Sequence, residues 1–170
     1  MWRSLWFLIS ALLLGATGQA YGQTISVGSK NFNENYLLAE MSAQMLEQAG
    51  FTVERRFGLG GTLICYEALR KGEIDLYVEY TGTLSQAILN DPDAVSIAAL
   101  NERLLPSQLK LLPAFGFNNT YALTMRSAQA QQLGMRRISD LMDHPELRIV
   151  VSHEFLERDD GWPGLAAVYG

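Results

Sequence analysis

The chain has 170 residues, 48% of them hydrophobic, with 13 Lys and Arg against 18 Asp and Glu. This length fits one compact domain, or one domain and part of another, and the apolar content argues against a disordered chain. The formal net charge of -5 leaves no basic patch that could neutralise phosphates. Nucleic acid is therefore excluded as a partner.

The N-terminal segment, residues 1–22, has the pattern of a signal peptide. Arg3 lies near its start, an apolar run covers 5–14, and small residues stand at Ala20 and Gly22. The run is shorter than the ~20 residues that span a bilayer, which argues against a membrane anchor. We predict export to the periplasm with cleavage after Gly22, and no cysteine near that point could carry a lipid.

Strand and helix patterns alternate after the signal peptide. The predicted elements are a strand at 24–27, a helix that Gly50 ends, a strand at 51–57, a helix at 62–71, a strand at 74–78, and helices at 81–89 and 94–105. The order β-α-β-α-β predicts a parallel sheet with helices on both faces. The first helix should pack on that sheet through an apolar stripe: Tyr36, Leu37, Met41, Met45 and Leu46.

A second unit begins after a crossover rich in Pro, Gly and Asn at 109–125. We assign residues 23–117 to a first lobe and residues 118–170 to a partial second lobe. In the second lobe we predict a strand at 120–125, a short helix at 138–142, a strand at 147–151 and a helix starting at His153. Only ~50 residues cannot close a core of their own, so we expect a truncated second lobe and weak ligand binding or none.

Polar and glycine-rich loops follow the first three predicted strands, at Gly28–Phe32, Gly58–Thr62 and Glu79–Thr83. In an open parallel sheet, ligands bind beyond the carboxyl ends of the strands, where these loops lie. Each loop alone is weak evidence, because a solvated lysine or a tyrosine at a sheet edge would look the same.

Taken together, five segments resemble the glycine betaine, carnitine and choline binding proteins of osmoprotectant ABC importers. The segments are GSKNF, GLGGT, GEIDLYVEYTGT, FGFNNTYAL and SHEFLERDDGWPGL, in this order. The resemblance implies an α/β fold of the type II periplasmic binding protein class, with a ligand cleft between two lobes. It also implies a small quaternary-ammonium ligand, a membrane permease as partner, and no cofactor.

The resemblance implies an aromatic cage for the ligand's trimethylammonium group. Tyr80 and Tyr121 would form walls of this cage, with Asn119 lining the pocket beside Tyr121. The chemistry fits these residue types, because a quaternary ammonium has no N–H to donate while the negative face of a tyrosine ring attracts it. An amino acid or another small zwitterion remains an alternative ligand, although a primary ammonium usually needs an acidic partner.

The resemblance also implies a site for the ligand's carboxylate, formed by Lys30, Thr83 and Arg158. A guanidinium can engage both carboxylate oxygens, and an ammonium adds charge without fixed geometry. A further alternative is that the chain is a fragment that cannot bind ligand.

An enzyme is the main competing class, and we predict that the protein is not one. His144 and His153 have no metal-ligand spacing with each other or with Cys65, so no metal site is predicted. Cys65 itself is expected to be a buried apolar residue. We interpret the acidic side chains as solvated or ion-paired surface groups: Glu73, Asp75, Glu79, Asp159 and Asp160.

Overall fold

The computed structural model of the protein describes residues 24–170. The predicted signal peptide and its cleavage site lie outside the described residues. Within 24–170, no helix is both long enough and apolar enough to cross a membrane.

The first part of the chain is a parallel β-α-β unit followed by a second helix. It comprises strand β1 (Thr24–Lys30), helix α1 (Asn33–Gln48), strand β2 (Thr52–Gly60) and helix α2 (Thr62–Arg70). The strands pair in parallel, with Thr24 opposite Thr52. A helical crossover is what joins parallel neighbours, so the predicted α/β arrangement is confirmed here.

The predicted third strand at 74–78 forms only a single bridge, in which Leu76 pairs in parallel with Val27 of β1. Gly28 N donates to Leu76 O at 2.8 Å, and Asp75 N donates to Ser26 O at 2.8 Å. The segment therefore runs beside β1 as predicted, on the side away from β2. The carboxyl ends of β1, β2 and this segment consequently meet at one edge.

Helix α1 buries a face that differs from most of the predicted stripe, although Leu46 packs against the buried cluster as predicted. Leu37, Met41 and Met45 are exposed, at 60%, 52% and 69%. The buried positions instead include Ala39 and Ala43, which pack in one cluster with Val27. Small side chains let the helix approach β1 closely, so the prediction from large apolar residues selected the wrong stripe.

A second apolar cluster follows in sequence. Helix α3 (Thr81–Thr83) continues into a π-helical turn at Leu84–Ile88, and helix α4 covers Ile97–Leu104. Leu84, Ala94, Leu100 and Leu104 form the buried cluster between them. These helices confirm the predictions for 81–89 and, with a later start, for 94–105.

Beyond residue 111 the regular elements of the described chain are all helical, and irregular segments separate them. The helices are α5 (Ser127–Leu133), a 3-10 helix at Ile138–Asp143, α6 (His153–Glu157) and α7 (Trp162–Tyr169). The short helix at 138–142 and the helix start at His153 are confirmed, while α5 was not predicted because its sequence has no apolar period.

The predicted strands at 120–125 and 147–151 are wrong for the described chain, where neither segment joins a sheet. Val150 is 95% exposed. A strand needs a hydrogen-bonded neighbour, and strand-like composition alone does not supply one. The lobe boundary between residues 117 and 118 stays a prediction.

Asn35 provides a test of how the sheet edge is held together. It is fully buried, its Oδ1 accepts from Lys30 N at 2.6 Å, and its Nδ2 donates to Val78 O at 2.9 Å. Asn35→Ala would leave a buried donor and acceptor without their partner, so we expect a loss of about 2–4 kcal/mol in unfolding free energy. Urea denaturation followed by circular dichroism measures it.

The matched control is Asn33→Ala, at the exposed first residue of the same helix, with an expected change within about 0.5 kcal/mol. Equal effects of the two substitutions would show that Asn35 does not brace the sheet edge.

Candidate ligand-binding cleft

A cleft of about 1060 Å³ opens at the carboxyl edge of the sheet. It is lined by all six residues predicted for the ligand site: Lys30, Tyr80, Thr83, Asn119, Tyr121 and Arg158. The loops after β1, β2 and the 74–78 segment form one wall, and residues 119–121 and 152–159 form the other. The convergence of the loops in the first wall follows from topology, since parallel strands end at the same edge.

Lys30 lies in the wall of the cleft as half of a buried ion pair. Its Nζ is 2.6 Å from Glu79 Oε1 and 2.9 Å from Thr62 Oγ1. Glu79 also accepts from Tyr77 Oη at 3.0 Å and from Tyr80 N at 2.8 Å. Burial raises the pKa of Glu79, and Lys30 is the strongest opposing influence. The interpretation of Glu79 as a surface group is therefore wrong, because its side chain is only 6% exposed.

Tyr80 is held from several directions. Its ring centroid is 5.5 Å from Lys30 Nζ and 6.1 Å from the Phe32 ring. Its hydroxyl donates to Glu34 Oε1 at 2.7 Å, and Asn119 Nδ2 donates to the same oxygen at 2.9 Å. Burial, followed by the Glu34 hydrogen bond, raises the pKa of Tyr80 to about 12. Tyr80 is thus a neutral phenol at physiological pH, with a fixed ring.

Arg158 contacts two of the other predicted site residues, Thr83 and Tyr121. Its Nε and Nη2 each donate to Asp160 at 2.7 Å, and its Nη1 donates to Thr83 Oγ1 at 3.1 Å. Its guanidinium carbon lies 5.6 Å from the centroid of Tyr121, whose ring packs 4.9 Å from that of Phe155. The hydrogen bond to Arg158 lowers the pKa of Asp160. Arg158 is 8% exposed and so has a fixed position.

Thr62 links the two walls of the cleft. Its hydroxyl donates to Glu154 Oε1 at 2.6 Å while accepting from Lys30 Nζ. A continuous polar chain therefore runs from Glu79 through Lys30 and Thr62 to Glu154. Thr62 was not among the predicted site residues. Its position at the end of GLGGT and the start of α2 is the sequence signal that could have indicated this role.

Apolar lining residues, a buried cysteine and the placement of possible metal ligands limit the chemistry of the cleft. Leu63 and Ile64 present exposed apolar side chains, at 61% and 56%. Cys65 is fully buried, as predicted, and burial raises the pKa of its thiol to about 11, so it is no nucleophile at neutral pH. Within residues 24–170, no group of three or more His, Cys, Asp or Glu is arranged to hold a metal ion.

Comparison with known sequences identifies related proteins. The ergothioneine transport permease/ergothioneine binding protein EgtU of Helicobacter pylori is 33% identical over 167 residues, which cover 95% of this chain and 30% of EgtU. The glycine-betaine-binding protein of Pseudomonas aeruginosa is 34% identical over 172 residues, covering 92% of this chain and 55% of that protein. This chain therefore spans about half or less of the length of the curated relatives it matches.

Two solved structures share the fold. Apo YehZ from Escherichia coli matches with a TM-score of 0.50 at 28% identity, covering 88% of this chain and 57% of that one. A glycine betaine/carnitine/choline ABC transporter structure matches with a TM-score of 0.60 at 21% identity, covering 88% and 58%. The family model for the substrate binding domain of the ABC-type glycine betaine transport system matches residues 23–170. The chain belongs to this family of substrate-binding domains.

Proposed function

We propose that this chain forms the ligand cleft of a periplasmic substrate-binding protein that captures quaternary-ammonium compatible solutes. Glycine betaine, choline and carnitine are the ligands, delivered to an ABC permease in the inner membrane. The observation that carries the proposal is that the six residues assigned from separate segments line one cleft. Export by the signal peptide, a two-lobed type II architecture and the absence of catalysis belong to the same proposal.

Tyr80 and Tyr121 receive the methylated ammonium. Each ring already has a protein cation near it, Lys30 at 5.5 Å and Arg158 at 5.6 Å. A ring has two faces, and a ligand cation can contact the face turned away from the side-chain cation. Such a contact contributes ~2 kcal/mol or more when it is desolvated.

Arg158 and Thr83 receive the ligand's carboxylate. Lys30 contributes less than the resemblance implied, because Glu79 already matches its charge at 2.6 Å. Arg158 uses Nε and Nη2 on Asp160, while its Nη1 donates to Thr83 at 3.1 Å and lies 3.6 Å from Glu154 Oε1. An incoming carboxylate would replace these longer contacts of Nη1.

A bulkier betaine is a second candidate ligand. Ergothioneine has the same trimethylammonium and carboxylate groups with an added heterocycle, and the H. pylori relative is named for it. The exposed side chains of Leu63 and Ile64 line the same cleft and offer an apolar surface to such a group.

Tyr80→Ala tests the cage. We expect glycine betaine to bind more than tenfold more weakly, a loss of about 1.4 kcal/mol, because a ring face is removed. Chemical-shift titration of the purified protein into the millimolar range measures it, with glycine as the unmethylated comparison ligand. The matched control is Tyr36→Ala, on the exposed face of α1 outside the cleft.

Unchanged betaine affinity in Tyr80→Ala would remove Tyr80 from the site. Glycine binding as tightly as betaine would favour the amino-acid alternative, and chemical conversion of any ligand would contradict a binding role.

Arg158→Gln tests whether Arg158 binds the carboxylate end of the ligand and not its ammonium end. We expect glycine betaine affinity to fall by about tenfold or more, since a charge-assisted hydrogen bond to its carboxylate is lost. Choline has no carboxylate and should change by less than about threefold. The same titrations measure both, and equal losses for the two ligands would show that Arg158 acts on the fold instead.

Ile64→Ser tests the second candidate. We expect ergothioneine binding to weaken by about fivefold or more, because apolar contact with its heterocycle is lost, while glycine betaine binding stays unchanged. Competition titrations with both ligands measure the ratio. If Ile64→Ser does not alter the ratio of ergothioneine affinity to glycine betaine affinity, the heterocycle does not contact Ile64.

A further inference from the structure

Glu34 connects two of the proposed ligand residues although it does not line the cleft itself. Its Oε1 accepts from Tyr80 Oη at 2.7 Å and from Asn119 Nδ2 at 2.9 Å. The two donors come from opposite walls, the loop after the 74–78 segment and the crossover. Glu34, in the first turn of α1, is thus placed to set the orientation of both.

The charge of Glu34 is not neutralised by an ion pair. Within residues 24–170, Glu34 takes part in none of the ion pairs, whereas the nearby Lys30 is matched by Glu79. A carboxylate that is only partly exposed is screened less than a fully solvated one. Its negative potential therefore extends to the side of the cleft where Tyr80 lies.

The hydrogen bond to Tyr80 also acts on the ring. A phenol that donates to a carboxylate is polarised, because hydrogen bonds to charged groups are stronger and polarise their neighbours. Electron density shifts toward the oxygen and the ring, so the ring face becomes more negative. A more negative face attracts a cation more strongly.

Asn119 has its amide orientation fixed in the same way. A carboxylate only accepts hydrogen bonds, so Asn119 must present its NH₂ group to Glu34. The side-chain oxygen is then the end that remains available to the cleft. A carbonyl oxygen carries partial negative charge, which again favours a cation.

We propose that Glu34 is a positioning residue that sets the ligand preference of the cleft toward cations without a carboxylate. This inference rests on the proposed ligand-binding function. Choline carries one net positive charge and gains from the potential of Glu34. Glycine betaine gains at its ammonium but loses at its carboxylate, so the net effect on it is smaller.

Glu34→Gln tests the inference, because it keeps the side-chain shape and removes the charge. Choline affinity should fall more than glycine betaine affinity, so that the ratio of the two changes by about threefold or more. The ¹³Cζ shift of Tyr80 in the ligand-free protein should also move. Glu40→Gln removes a charge from the same helix, where the carboxylate bonds Arg55, and should change neither readout.

The outcomes separate the two levels of the proposal. If the unaltered protein binds neither ligand up to millimolar concentrations, the alternative of a fragment that cannot bind ligand is favoured. The proposed function then fails for this chain, and this inference fails with it. If the unaltered protein binds both but Glu34→Gln leaves their ratio unchanged, only the inference is overturned. An unchanged ¹³Cζ shift of Tyr80 in Glu34→Gln would also overturn the inference, because it would show that the Glu34 carboxylate does not polarise the Tyr80 hydroxyl. In a Tyr80→Phe background the effect of Glu34→Gln should shrink, which shows that it acts through the hydroxyl.

Discussion

The buried ion pair between Lys30 and Glu79 is the interaction on which the cleft depends. Lys30 is the last residue of β1, and Glu79 follows the 74–78 segment that runs beside β1. The ion pair therefore joins the carboxyl ends of two neighbouring strand segments at one edge of the sheet. Burying two charges costs several kcal/mol per ion unless other hydrogen bonds compensate. Thr62, Tyr77 and the backbone N–H of Tyr80 provide those bonds. The loops after three chain segments are thereby held in one arrangement.

The same network fixes the side chains that line the cleft. Tyr80 lies between the Lys30 ammonium and the Glu34 carboxylate, and Arg158 is clamped by Asp160. Side chains held in this way lose little conformational freedom when a ligand arrives, which improves affinity without adding contacts. The contacts of Arg158 with Asp160 and Thr83 also fix the orientation of its guanidinium.

The convergence of the strand-end loops at one cleft could be predicted from the sequence, while much of the packing could not. Residues after parallel strands must converge at one edge, so the proximity of the loops that contain Lys30, Tyr80 and Thr83 followed from topology, whereas the choice of these three residues came from the resemblance. The roles of Glu34 and Glu79 did not follow, because whether a charged residue is buried depends on which partners the fold brings to it. The buried stripe of α1 was missed for a related reason: the alanines that allow close approach carry a weak apolar signal. The segments 120–125 and 147–151 have strand composition, but strand formation depends on a neighbour that composition cannot specify.

The way the two walls meet has a consequence for motion. The hydrogen bonds between them are polar side-chain contacts: Thr62 to Glu154, Thr83 to Arg158, and Glu34 to Asn119. Both apolar clusters of the described residues lie wholly within residues 25–111. Each of these contacts has one charged partner and contributes about 1.5–3 kcal/mol, and water can take the place of each when the walls part. Since neither cluster joins the two walls, a rotation in the crossover, where Gly116 has a φ of +88°, would have to break only the polar contacts named above. A ligand that bridges Tyr80 and Arg158 would then supply the contacts that favour the closed arrangement.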